Sequence, residues 1–378
     1  MTHFHPPMRA LAAAGLFFLA GCFTDTTDTQ SAPPDPVAGW LPDSVFTATW
    51  AGGARAAWSI IFDDFCGGWA RGIQDKADTM FRDRGMAFSF AIIPGQCDEG
   101  EWEEARRLVG HGHKPANLTM NQFCAVAESW CPTSAFGPED YPLELDSSAA
   151  WIERETGVRP AFMAFPYDLW TPELLDALRQ RHYLGARAST ARGKVNPADI
   201  KDGFDVSWDL EFPPENKQWQ SFTLRGYYRA ALDQGGWAFQ SAHGVSDQSY
   251  GSIEEDSLRA LLDEMKPLVD SGTLWVAPPT DVIAYSLLRQ SVAPAMEATG
   301  KEAIINWIPM VAAPLADKAA RDLYDTELTL VLRFKSVPAG LRVAQGGADL
   351  PWRGLDSRNV QVRAKPGAGP LRLSVSAP

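Results

Sequence analysis

Two adjacent carboxylates, Asp63 and Asp64, close an apolar run that begins at Ala56. Burying a carboxylate without a partner is costly. A pair at the end of such a run therefore points to a bound metal, a proton-transfer role or a strand-end cap. His243 ends a second apolar run, Trp237 to Ala242, which favours a pocket position for its ring. A third stretch, Gly112 to Gln122, carries Asn117 and Thr119, and a fourth, Phe162 to Phe165, runs into Pro166-Tyr167-Asp168.

In order and spacing these segments resemble the signatures of the polysaccharide deacetylase family, the NodB-homology domain of family 4 carbohydrate esterases. The family's Thr-Phe-Asp-Asp-Gly stands here as Ile61-Phe62-Asp63-Asp64-Phe65. The resemblance implies that Asp63 is the general base and Asp64 a metal ligand. The family's Asn-His-Thr-x-x-His falls on Asn117 to Gln122, with Leu118 and Gln122 in the two histidine places. Leucine cannot coordinate a metal, and a neutral amide is a poor zinc ligand. His111 and His113 precede the third strand, at the end opposite the expected site. The Arg-x-Pro-Tyr signature becomes Ala164-Phe165-Pro166-Tyr167, without its arginine. The resemblance gives the Tyr167 backbone N–H a role at the oxyanion. It places Asn117, Pro166 and Asp168 on the substrate side and makes His243 the general acid. The implied chemistry is removal of N-acetyl groups from a polysaccharide by water on a divalent metal, zinc, although this ligand set predicts weak zinc binding or none.

The elements that must hold these residues alternate. Apolar runs are separated by helical spacings such as Ile73 to Arg84, Glu101 to Val109 and Thr171 to Arg181. Ser252-Ile253-Glu254-Glu255 reads as a capping box that opens another helix. Repeated strand–helix units predict an α/β fold, an irregular (β/α) barrel with mainly parallel strands. Active sites of such barrels lie at the C-terminal ends of the strands, where Asp63, Asp64, Tyr167 and His243 fall. After about residue 300, short alternating segments predict a small antiparallel β module. The expected organisation is a signal segment over 1–22, a disordered tether over 23–45, the deacetylase-like domain over 46–295 and the accessory module over 296–378.

The N-terminus predicts export. An apolar run from Ala10 ends in Leu19-Ala20-Gly21-Cys22, which resembles a lipobox with Cys22 as the acylated residue. The predicted place is the bacterial cell envelope, with membrane contact through that lipid alone. Export permits disulfides, and Cys66 with Cys97 and Cys124 with Cys131 are the favoured pairs. The formal charge of −13 argues against nucleic acid as a partner. A polysaccharide or glycan is the expected partner. Of 14 tryptophans, Trp69, Trp102, Trp130, Trp170, Trp208 and Trp219 lie near predicted loops, where they either stack on sugars or pack in the core. Two functions follow: an N-acetyl sugar deacetylase, or a catalytically inactive relative that keeps the groove and binds glycan.

Overall fold

The apolar run that ends in the two carboxylates becomes the central strand of a parallel sheet. In this computed structural model, which describes residues 38–128, 131–188, 190, 192–299, 302–310 and 323–376, that strand is β1, Ala56–Phe65. Alternate residues of β1 enter two cores. Trp58, Ile60 and Phe62 pack outward with Phe81, Phe88 and Leu258. Ala57 and Ile61 pack inward with Phe162, Trp237 and Phe239. Burial on both faces explains why the run is continuously apolar rather than alternating.

The other barrel strands are β2 (Ser89–Ile92), β3 (Lys114–Asn117), β4 (Phe162–Met163), β5 (Gly185–Ala186), β6 (Asp209–Leu210), β7 (Trp237–Ala242) and β8 (Leu274–Val276). Their order is β5-β4-β3-β2-β1-β7-β6, every pair parallel, with β8 alongside the first residues of β1. Among the described residues no ladder joins β5 to β6, so the barrel is incomplete. Helices Glu99–Gly110, Ser148–Thr156, Pro172–Gln180, Leu224–Gln234 and Glu255–Asp270 intervene between strands, as the alternating pattern predicts. The Glu255–Asp270 helix differs from expectation in its cap. Ser252 does not cap it; the Glu255 N–H donates to Ser246 Oγ at 2.7 Å.

Two antiparallel sheets form the β module, and its limits differ from those expected. Ser44–Thr47 pairs with Leu328–Arg333, so a segment assigned partly to the tether is an edge strand of the module. The module's other sheet begins at Val292, directly after the buried helix Pro279–Ser291. Leu330, Leu332, Val360 and Val362 from one sheet meet Ile305, Val343, Leu371 and Leu373 from the other. The lipobox and Cys22 lie outside the described residues. Among those residues no helix is long and apolar enough to cross a membrane.

Candidate functional site

The predicted residues lie where β1, β3, β4 and β7 end, and Arg187 after β5 joins them. Asp63 is only 2% exposed. Arg187, which follows β5, donates to Asp63 Oδ2 at 2.5 Å and to Ser241 Oγ at 2.6 Å. Ser241 Oγ also lies 3.2 Å from that same carboxylate oxygen. The other face of the guanidinium reaches Asp168 at 3.0 Å. Burial opposes the Arg187 charge, but Asp63 and Asp168 outweigh it and hold its pKa above the ordinary value. Arg192 also pairs with Asp168 at 3.0 Å, and both arginines stack on Trp208. Asp63 Oδ1 is enclosed and has no hydrogen-bond partner among the described residues.

Sequence patterning does not point to Arg187 or Arg192, nor to Trp208 as the platform beneath them. Ala164 carries no guanidinium, and the one that meets Asp63 is that of Arg187, directly after β5. The available signal is one arginine directly after Gly185-Ala186 in an otherwise apolar stretch.

Asp64, the next residue along the strand, has left-handed backbone (φ 58°). Its Oδ1 accepts the Gln122 side-chain amide at 2.6 Å. Its Oδ2 lies 3.9 Å from His243 Nε2, beyond a hydrogen bond. Burial pushes the Asp64 pKa up, His243 pulls it partly back, and Asp63 raises it again. Leu118, at the other ligand position, is 1% exposed and packs in the inner core with Ile93 and Ala116. This donor set does not fit zinc. The described residues hold no group of three or more His, Cys, Asp or Glu able to take a metal ion. His111 and His113 do not substitute: both contact Asp78 at the opposite end of β3.

Two expected substrate contacts need correction. Asn117 is fully buried; it donates to the Tyr183 hydroxyl at 2.7 Å and accepts from Ser148 at 2.7 Å. It braces the end of β3. Pro166 is buried in the turn after β4 and offers no polar atom from its ring. Asp168 does reach the site, but its carboxylate is committed to Arg187 and Arg192. Tyr167 is 38% exposed with φ 56°, and burial followed by the nearby Asp64 raises its pKa. Left-handed residues cluster here: Asp64 at the end of β1, and Cys66, Thr119, Gln122, Tyr167 and Asp168 in the loops after β1, β3 and β4. Such strain persists only where surrounding structure fixes it, and it concentrates at binding and active sites.

No family model and no curated protein matches the chain. Solved structures do. A family 4 acetyl xylan esterase from Clostridium thermocellum is 14% identical, with a TM-score of 0.38, over 60% of this chain and 89% of that one. A peptidoglycan deacetylase from Bacillus subtilis is 13% identical, with a TM-score of 0.37, over 60% and 89%. A mutant of a family 4 pseudoenzyme is 9% identical, with a TM-score of 0.39, over 61% and 68%. The chain is similar to polysaccharide deacetylases in its barrel.

Exposed aromatic rings stand on loops that follow the strands. Trp69 follows β1, Tyr167 follows β4, Trp219 follows β6 and Tyr250 follows β7, all exposed. Tyr250 meets the His243 ring edge-on at 5.6 Å, and Trp219 meets Phe212 at 6.0 Å. Among the other loop-associated tryptophans, Trp102 and Trp208 are buried in the core and Trp170 packs against it. Trp130 lies outside the described residues. Both expected disulfides form. Cys66–Cys97 ties the loops after β1 and β2, and Cys124–Cys131 closes a short loop after β3.

Proposed function

We propose that this chain is an exported, lipid-anchored envelope protein that binds glycan with a deacetylase-like barrel and does not carry out the metal-dependent hydrolysis. One observation carries the reading. The Gln122 amide occupies Asp64 at 2.6 Å, while the second ligand place is the packed side chain of Leu118. A hydrogen-bond donor has taken the position of an electrophile. What remains is a buried charge network at the strand ends with exposed rings on the loops that leave them, and such rings suit stacking on sugar faces. The two disulfides support export, and Cys22 is the proposed lipidated residue.

A second reading is favoured by the Asp63–Arg187 pair and by His243. These keep a base and an acid at the site for hydrolysis of an N-acetyl group without metal. Acetate release from N-acetylated glucosamine polymers separates the two, with glycan affinity measured in parallel. The proposed function expects binding without acetate release. Turnover that disappears in Asp63→Asn would replace it with the second reading.

A further inference from the structure

We propose that a cleft at the opposite end of the barrel binds the carboxylate-bearing sugar units of an acidic glycan. The cleft lies between the outer face of one module sheet and the loops that lead into β1 and β8, and its volume is about 680 Å³. Arg55 stands directly before β1, so roughly 25 Å of strand separates this cleft from Asp63. The inference goes beyond the reading of the strand-end site and does not depend on it.

Strand pairing brings the lining residues together. Phe46, Val331, Gln361 and Arg353 stand opposite one another across the sheet, and Ser44, Arg333 and Asn359 form the next row. Residues opposite each other in an antiparallel ladder share a face, as do residues two apart along a strand. Leu330, Leu332, Val360 and Val362 fill the module core, so the face with Arg333, Gln361 and Arg353 looks outward. Arg55 and Thr273 border it from the barrel side, joined by the Arg55 N–H, which donates to the Thr273 carbonyl at 2.9 Å.

Charge is the first support. The cleft is lined by Arg55, Arg333 and Arg353 and by no aspartate or glutamate. All three arginines are exposed, and none has a carboxylate partner among the described residues. Most other described arginines do have one, Arg187 and Arg342 among them. In a chain of net charge −13, an uncompensated positive patch of this kind is a local reversal of sign.

A second observation is independent of the first: one of these guanidiniums is held in place by a neutral group. With its amide oxygen towards Arg353, Gln361 accepts from Nε and Nη2 at 2.9 Å each, and its amide nitrogen donates to the Gly52 carbonyl at 3.0 Å. Gln361 thus orients the fork without cancelling its charge. Glycine keeps the space for it. A Cβ at Gly272 (φ 75°) would lie 3.3 Å from Arg353 Nη2, and one at Gly53 (φ 74°) would lie 3.1 Å from the Gln361 amide. A donor fixed before the ligand arrives loses less freedom on binding.

A planar fork with free N–H groups suits a carboxylate, which it grips through charge-assisted hydrogen bonds. The rest of the cleft suits a sugar. Thr49, Ser271 and Thr273 bring hydroxyls, and Phe46, 49% exposed, offers a ring face. The overall charge of −13 repels a densely anionic membrane surface at long range, so binding here relies on contacts inside the cleft.

Calorimetric titration of the full chain tests this with a galacturonate hexamer, its methyl ester, an N-acetylated glucosamine hexamer, inorganic phosphate and phosphatidylglycerol vesicles. The free acid should bind roughly tenfold tighter than the ester. Arg333→Ala combined with Arg353→Ala should remove that preference, with the urea midpoint and the affinity for the N-acetylated hexamer unchanged. Equal binding of acid and ester, or none, overturns the inference, as does a preference that survives in the double variant. Phosphate that displaces the acid at equal concentration also overturns it, since the cleft would then read an anion and not a sugar. Vesicles that bind the wild type and not the double variant would assign the cleft to a membrane surface instead. Acid binding without binding of the N-acetylated hexamer leaves this inference standing and overturns the glycan-binding reading of the strand-end site.

Discussion

Gln122 donates its side-chain amide to Asp64 Oδ1 at 2.6 Å. The contact joins the end of β1 to the loop after β3, and both residues have left-handed backbone. The amide therefore belongs to the architecture of the site and is not a surface residue that happens to lie nearby.

Reinstalling the donors should reinstall the metal. Leu118→His combined with Gln122→His places two imidazoles beside Asp64 and removes the competing amide. That variant should retain about one zinc per chain after dialysis, as a three-ligand site with an open position does. Wild type and either single variant should retain none by elemental analysis. Stoichiometric zinc on the wild-type chain would contradict a site closed to metal by Leu118 and Gln122.

Arg187 is the residue whose loss should cost most stability. Its side chain and that of Asp63 are 4% and 3% exposed. Removing one member of a buried pair leaves the other charge uncompensated, at a cost of about 3–5 kcal/mol. Arg187→Met should lose that much in urea denaturation. Arg187→Lys should recover only part of it, because a point charge cannot serve Asp63, Ser241 and Asp168 together as the planar fork does. A loss within about 0.5 kcal/mol, typical of a surface substitution, would show that the pair is not buried as described.

The barrel is legible in the sequence because its strands are covered on both faces. Ala56–Phe65 and Trp237–Ala242 are unbroken apolar runs, and their ends locate Asp63, Asp64 and His243. Arg187 is not legible in the same way. That residue reaches Asp63 across the sheet from a strand of two residues, too short to produce a period. Asn117 escapes for a related reason. A polar residue at a strand end looks the same in sequence whether it faces a ligand or, as here, Tyr183 and Ser148. Ser44–Thr47 falls at the expected tether boundary because its partner strand lies nearly the whole barrel away in sequence.

At the opposite end of β3, His113 should make the protein acid-sensitive. The ring is fully buried, stacks on Phe88 at 3.7 Å and contacts Asp78 at 3.1 Å. Burial pushes its pKa down from 6.5 to about 4, with Asp78 pulling the other way. Below pH 6.5 the unfolded chain takes up the proton first, so stability is lost as pH falls from 6.5 towards about 4. The slope contributed by this one proton approaches about 1.4 kcal/mol per pH unit. Urea midpoints across that window should show it, and His113→Phe should flatten the slope. An unchanged slope in that variant would assign the acid sensitivity elsewhere.

The two disulfides should differ in weight because they close loops of different length. Cys66–Cys97 spans 31 residues and Cys124–Cys131 spans 7. In the chain-entropy picture the first restricts the unfolded chain by about 3–4 kcal/mol and the second by about 2–3 kcal/mol. The first also sits two residues beyond Asp64, with Cys66 at φ 92°, so it ties down the end of the strand that carries both carboxylates. Cys66→Ser with Cys97→Ser should therefore lower both the urea midpoint and glycan affinity. Cys124→Ser with Cys131→Ser should lower stability less. The reverse order of stability losses would mean that the short loop after β3, rather than the tie between β1 and β2, holds the site together.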